Sequence, residues 1–332
     1  MDLRRFEGKK VLITGAGGLI GRALVAELVN HNGEKPVEVI AAVRSVERAK
    51  RAFAGLSEDN IAYLEGDVRD LPLKDLGVEY IVHGASRTAS RDFVTEPVEV
   101  ILSAVEGAKR VLEFARKNPV KGLIYLSTME VYGTPATDEK IYETSPSDLD
   151  TTSVRSSYPE SKRLCECLCA SYAAEYGVPA KIVRLTQTFG EGVDYNDGRV
   201  FAEFARCAIE GRDIILKTKG ETKRNYVDIK DAANAVFTVL INGAVGEAYN
   251  VANEATYCSI YEMAEMVARE FGQGKITVRI EEDKDIDKLG YAKTLKMNLS
   301  TEKLRGLGWA PRNSLMVTYK KMIDYMRKHA ER

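Results

Sequence analysis

Tyr158 and Lys162 stand four residues apart, a spacing that sets a phenol and an ammonium on one face of a helix. A free tyrosine titrates near pH ~10 and is a poor base at neutral pH. A neighbouring lysine and a second cation would favour the phenolate, and a drop of about 3 units corresponds to about 4 kcal/mol. Alone, Y-x-x-x-K is an ordinary surface pair, so its meaning depends on what else the chain supplies. Ser157 and Glu160 have capping-box spacing and Pro159 suits a first turn, so a helix is expected over 158–176.

The second feature is a glycine-rich turn, Thr14-Gly15-Ala16-Gly17-Gly18-Leu19-Ile20-Gly21, directly after the β-type run Lys10–Thr14. Its spacing is G-x-x-G-x-x-G. One glycine permits the tight turn, another lets backbone amides approach a pyrophosphate, and Gly21 lets the following helix pack close to the strand. The helix N-terminus favours the phosphate charge. Gly15, Gly18, Leu19, Ile20 and Gly21 are therefore candidate dinucleotide contacts. An acidic residue ending the second strand would select a free ribose hydroxyl, as in NAD, but that end reads Ala42-Val43-Arg44-Ser45. Arg44 can pair with the 2′-phosphate of NADP or lie over the adenine. Asp67, after the third strand, is placed to accept from the adenine amino group, or simply forms a turn.

These residues need a scaffold. The chain has 332 residues, 45% hydrophobic and 29% charged, enough for one large domain with a smaller lobe. Its 48 basic and 49 acidic side chains nearly cancel, which removes the electrostatic case for a nucleic-acid or membrane partner. No apolar run approaches the ~18 residues of a membrane span. Cys165, Cys167 and Cys169 follow a helical pattern that turns Cys167 away from the other two. Thiols rather than disulfides or a metal site are expected, and a reducing cytoplasm suits them.

Strand-type runs at 10–14, 37–43, 61–64, 80–83, 123–126 and 180–185 alternate with helical patterns, including a long amphipathic one over 97–118. This alternation predicts an α/β fold, a Rossmann-type doubly wound parallel sheet with a smaller C-terminal substrate-binding lobe. Residues 1–189 plus about 228–252 form the dinucleotide domain, and about 190–227 and 253–332 the lobe. Beyond residue 189, 190–198 reads as a loop, 199–210 and 228–242 as helices, 213–216 and 248–251 as strands. Ser259 and Glu262 open another helix, and the charged stretch 281–288 reads as solvated surface.

With the cradle and the Tyr158/Lys162 pair in one chain, the sequence resembles the extended short-chain dehydrogenase/reductases of the NAD-dependent epimerase/dehydratase family, which act on nucleotide sugars. The likeness spans nearly the whole length. It rests on the glycine turn, Asp67-Val68, His83-Gly84-Ala85, Ser127-Thr128-Met129-Glu130-Val131-Tyr132-Gly133, Tyr158/Lys162, Arg184 to Gly190, Arg224 to Asp231 and Leu307-Gly308-Trp309. The resemblance implies NAD, with NADP kept open by Arg44, and adds Val68 and Ala85 to the cofactor contacts. It implies that Thr128 binds the sugar 4-hydroxyl, Tyr158 is the base that helps form a 4-keto sugar, and Lys162 holds the nicotinamide ribose. Arg224 would grip the substrate diphosphate, with Arg199 and Gln187 on the substrate side. It further implies a homodimer through the helices at 97–118 and 158–176.

The net reaction turns on Glu130. Dehydratases of the deoxythymidine type carry Asp-Glu after the threonine, and here the aspartate position holds Met129. Thr-x-Glu without the aspartate is similar to GDP-mannose dehydratases and UDP-glucuronate decarboxylases, and a carboxylate there can abstract an acidified α-proton. Gln187 and Ala104 depart from the family's usual asparagines. Epimerase and dehydratase are the leading expectations, with decarboxylase, an NADPH-consuming carbonyl reductase and a cofactor-sensing binding protein as alternatives.

Overall fold

The computed structural model describes residues 3–282 and 294–329. In chain order the first half comprises β1 (Lys10–Thr14), α1 (Leu19–Val29), β2 (Glu38–Val43), α2 (Val46–Ala52), β3 (Ile61–Glu65), β4 (Tyr80–His83), α3 (Asp92–Thr95), α4 (Pro97–Lys117), β5 (Gly122–Thr128), α5 (Ser157–Tyr176) and β6 (Ala180–Leu185). There follow β7 (Gln187–Phe189), α6 (Val200–Glu210), β8 (Ile214–Leu216), β9 (Lys223–Asp228), α7 (Ile229–Asn242), β10 (Ala248–Val251), β11 (Asn253–Ser259), α8 (Ile260–Phe271), β12 (Val278–Ile280), β13 (Lys296–Met297), α9 (Glu302–Arg305) and α10 (Leu315–His329).

Seven strands form one parallel sheet in the order β10-β6-β5-β4-β1-β2-β3. Its strands are covered on both faces, which is why β1 reads as an unbroken apolar run rather than an alternating one. Val11 and Ile13 join the core under α1 and α7, while Leu12 joins the core under α4 and α5. The strand order reverses between β1 and β4. A crevice therefore opens at the carboxyl ends of these two strands, where ligands of open α/β sheets bind.

Beyond β6 the chain builds what sequence patterning did not resolve. β9 pairs with β11, β13 and β7, and β8 pairs with β12. Phe189, Phe201, Phe204, Met263, Tyr319 and Met322 make a separate core there. Apart from β8, which matches the strand expected at 213–216, local periodicity does not announce these strands: they are two to seven residues long and join partners distant in sequence. The helix α10, which supplies four of that core's buried side chains, Tyr319, Met322, Ile323 and Met326, is a further element that the sequence pattern does not announce. Of the charged stretch 281–288, only Glu281 and Glu282 lie within the described residues.

One local expectation is corrected. Ser157 and Glu160 do not form a capping box: Ser156 is the N-cap, without a side-chain bond, and the Ser157 hydroxyl donates to the Phe93 carbonyl at 2.9 Å. A tertiary contact has taken the side chain that local spacing reserved for a cap. The capping box at Ser259 and Glu262 does form. Cys165 and Cys169 are buried and Cys167 exposed, with no disulfide among them.

Candidate active site

The glycine turn lies between β1 and α1, against the end of β4. Gly15 has φ +72°, and a Cβ there would lie 2.8 Å from the Ala85 amide nitrogen. A Cβ on Gly21 would overlap the Gly15 carbonyl oxygen and the Ala16 backbone. The turn is thus as narrow as a backbone can make it. Gly18 is the N-cap of α1 and supplies no side chain, so the first-turn amides at Leu19 and Ile20 have no cap over them. This open helix start, walled by glycine, fits the diphosphate of a dinucleotide.

Thr14 and His83 fasten the two strands beneath it. The Gly84 and Ala85 amides point at the Thr14 hydroxyl oxygen, each at 3.2 Å. The hydroxyl proton therefore goes to His83 Nδ1 at 2.7 Å, leaving the hydrogen on Nε2. Burial, with the Lys162 charge behind it, holds the His83 pKa down at about 3, so the ring is neutral.

Around the adenine end of the crevice, Arg44 is exposed at the tip of β2. Asp67 is bound to Arg69 through Nε at 2.9 Å and Nη2 at 3.1 Å. Arg69, first by hydrogen bonding, and Arg44 hold the Asp67 carboxyl below its ordinary range. Val68 is buried and abuts Gly107 of α4, where a Cβ would strike its Cγ1.

The acid–base residues converge from β5, α5 and the turn after β5. Tyr158 is 7% exposed and lies beside Thr128, whose hydroxyl acts to lower the phenol pKa. Phe93 of α3 stacks on the Tyr158 ring, centroids 4.3 Å apart and planes 6° from parallel. Lys162 is buried and donates to the Leu126 carbonyl at 2.8 Å, with Nζ 5.8 Å from the Tyr158 ring centre. Glu130 and Arg155 form an ion pair at 3.0 Å, each about one-third exposed. The Arg155 guanidinium in turn lies 4.7 Å over the Phe93 ring.

The chain's own groups raise the tyrosine pKa; the expected lowering draws on a cofactor cation as well as on Lys162. Burial pushes the Tyr158 phenol up and the Glu130 charge adds to it, while Thr128 and Arg155 oppose. Burial also pulls Lys162 down to about 8.

Behind this pair Glu166, one turn beyond Lys162, accepts from the Ser127 hydroxyl at 2.5 Å and from Arg184 at 2.7 Å. Arg184 continues to the Tyr132 hydroxyl and the Glu143 carbonyl. This network pins β5, β6 and the turn that carries Thr128 and Glu130. Phe93, Arg155, Glu166 and Arg184 were not singled out as site residues from sequence. Arg155 and Glu166 flank the Tyr158/Lys162 motif and were within reach of it; nothing local marks Phe93.

The substrate-side residues divide. Gln187 of β7 pairs in register with Tyr226 of β9, so Gln187 and Arg224 sit on adjoining strands. Arg224 Nε is sealed from solvent with no hydrogen-bond partner among the described residues. Arg199 is engaged locally, with Asp197 through Nη2 at 2.5 Å and over the Phe201 ring.

A profile of the family described as NAD dependent epimerase/dehydratase matches residues 11–252, most of the chain. The chain belongs to that family. The cofactor of this family is NAD, consistent with the glycine cradle. The chain is 28% identical to UDP-glucuronic acid decarboxylase 1 of Xenopus tropicalis over 97% of its length and 73% of that protein. It is 25% identical to dTDP-D-glucose 4,6-dehydratase of Homo sapiens, over 97% of its length and 91% of that protein. Its fold matches the crystal structure of UDP-glucose 4-epimerase from Thermotoga maritima with UDP-glucose, at TM-score 0.81 and 23% identity, covering 97% of this chain and 99% of the other.

Proposed function

We infer that the chain is an NAD-dependent enzyme that modifies a nucleotide sugar by transient oxidation of its 4-hydroxyl. The observation that carries this is the convergence of Thr128, Tyr158 and Lys162 at the carboxyl edge of the same sheet that bears the glycine cradle. Bound NAD supplies the hydride acceptor and donor. Thr128 shares the proton of the sugar hydroxyl with Tyr158, and Tyr158 removes it. Lys162 would hold the nicotinamide ribose and supply positive charge that favours a phenolate. Arg224 receives the diphosphate, and its buried Nε, without a partner among the described residues, supports that role. The segments 190–227 and 253–332 act as the substrate lobe, with Gln187 at its edge and Arg199 at the start of α6.

All three relatives' reactions share this oxidation, and the residues after Thr128 divide them. Met129 supplies no acid for expelling a 6-hydroxyl. The Glu130–Arg155 pair places a carboxylate and a guanidinium beside Tyr158, which favours decarboxylation of a uronic acid as a second reading beside epimerase and dehydratase. The test is incubation with UDP-glucuronate, UDP-glucose and dTDP-glucose in deuterated water, with products followed by NMR. Release of carbon dioxide assigns the decarboxylase, deuterium at the 5-position with loss of the 6-hydroxyl the dehydratase, and inversion at the 4-position without deuterium the epimerase. Tyr158→Phe should abolish whichever turnover is found while NAD affinity stays within a few-fold. No turnover of any nucleotide sugar refutes the reading.

The exposed apolar side chains Val98, Ile101 and Leu102 of α4 and Leu164 of α5 support a homodimer through these helices.

A further inference from the structure

Arg22 lies in the first turn of α1, one residue past the last glycine of the cradle. Its Nη2 donates to the Gly192 carbonyl across 2.7 Å, joining residues 170 apart in the chain. Its Nε is closed off from solvent and has no hydrogen-bond partner among the described residues. The same turn touches the same loop a second time. Leu19 packs against the core of the C-terminal lobe, and a Cβ on Gly192 would lie 3.5 Å from Leu19 Cδ1.

The loop is built to be held there. Gly190 and Gly192 have φ of +145° and +97°, conformations that favour glycine. Glu191 between them pairs with Lys230 of α7 at 2.8 Å, and Val193 is buried in the lobe core. Residues 190–193 are thus fastened to both helices that flank the cradle's face of the sheet, and then lead through 194–199 into α6.

We propose that Arg22 is a positioning residue that links dinucleotide occupancy of the glycine cradle to the order of the loop at 190–198. A diphosphate at the α1 amides adds negative charge beside the turn that carries Arg22, and so favours the guanidinium where it reaches Gly192. The loop is held more firmly when the cofactor is in place. By linkage, a ligand that orders the loop tightens the cofactor by the same factor. The inference rests on NAD binding at the cradle, not on which sugar is turned over.

The experiment is amide hydrogen exchange followed by mass spectrometry, with and without NAD, on the full chain and on Arg22→Met. A charge-assisted side-chain bond accounts for about a ten-fold effect. NAD is expected to slow exchange across 190–198 about ten-fold in the wild type and about two-fold or less in Arg22→Met, while protection of 15–21 persists in both. Equal protection of 190–198 in the two proteins overturns the proposal, as does a wild type in which NAD protects 15–21 but leaves 190–198 unchanged. Should NAD protect neither segment, the cofactor reading falls together with the proposal. Exchange in β5 reports the fold. Should Arg22→Met disturb it, Arg22→Gln, which keeps a donor but no charge, carries the comparison under the same criteria.

Discussion

At the scale of single residues, burial and chemistry oppose each other most strongly at Lys162. Its folded pKa is pulled down to about 8, chiefly by burial, with Cys165, Glu166 and Cys169 opposing. In the unfolded chain a lysine holds its proton to about pH 10.4. Between about pH 8 and pH 10 the unfolded state therefore binds the extra proton, and this residue makes the fold more stable as pH rises. Below pH 8 both states are protonated and the whole penalty of burying the ammonium remains. Lys162→Met removes that penalty, so its stability relative to wild type should fall by about 2–3 kcal/mol from pH 7 to pH 10. Urea unfolding at both values checks this, and an unchanged difference would mean that the amine is not depressed. Tyr158 carries the opposite lesson. The Y-x-x-x-K spacing located the pair, but burial and the Glu130 charge, opposed by Thr128 and Arg155 and none of them visible in that motif, set how the phenol titrates in the chain alone.

At the scale of elements, the β1–turn–α1 unit depends on contacts too close for any side chain. Gly21→Ala would drive a methyl into the Gly15 carbonyl and the Ala16 backbone, and backbone cannot rotate aside as a side chain can. A loss of stability of about 2–4 kcal/mol is expected, of the size seen for overpacked cores or slightly above. NAD affinity should fall by at least about ten-fold, measured by calorimetry. Gly18→Ala is the control: its Cβ meets only the Gly15 oxygen, at 3.3 Å, so a small effect on stability is expected there. Equal effects of the two substitutions would show that the cradle is not limited by packing.

For the whole molecule, α4 and α5 pack on one another and on the sheet, yet turn large apolar side chains outward. Val98 is 64% exposed and Leu164 47%. A pair of such faces brought together supplies the apolar centre of an interface of standard size, about 1,200–2,000 Å². Val98→Glu combined with Leu102→Glu should convert a dimer to a monomer in sedimentation velocity without unfolding the sheet. A wild-type chain that sediments as a monomer at micromolar concentration would refute the homodimer.

The amino-acid sequence by itself determined the central parallel sheet, because its strands are local apolar runs and four of them, β1, β2, β4 and β5, lead into helices. It likewise determined the cradle and the Tyr158/Lys162 pair, since their chemistry depends on spacing within one turn. Only the tertiary structure decided that Ser157 serves Phe93 rather than a cap, that Arg155 neutralises Glu130, and that Arg22 reaches Gly192. It also assembled the short strands of the C-terminal lobe. Each of these joins residues tens to more than a hundred positions apart, or sets two partners in competition for one side chain. Such outcomes follow from which contacts survive in the packed molecule, and no window of local sequence contains them.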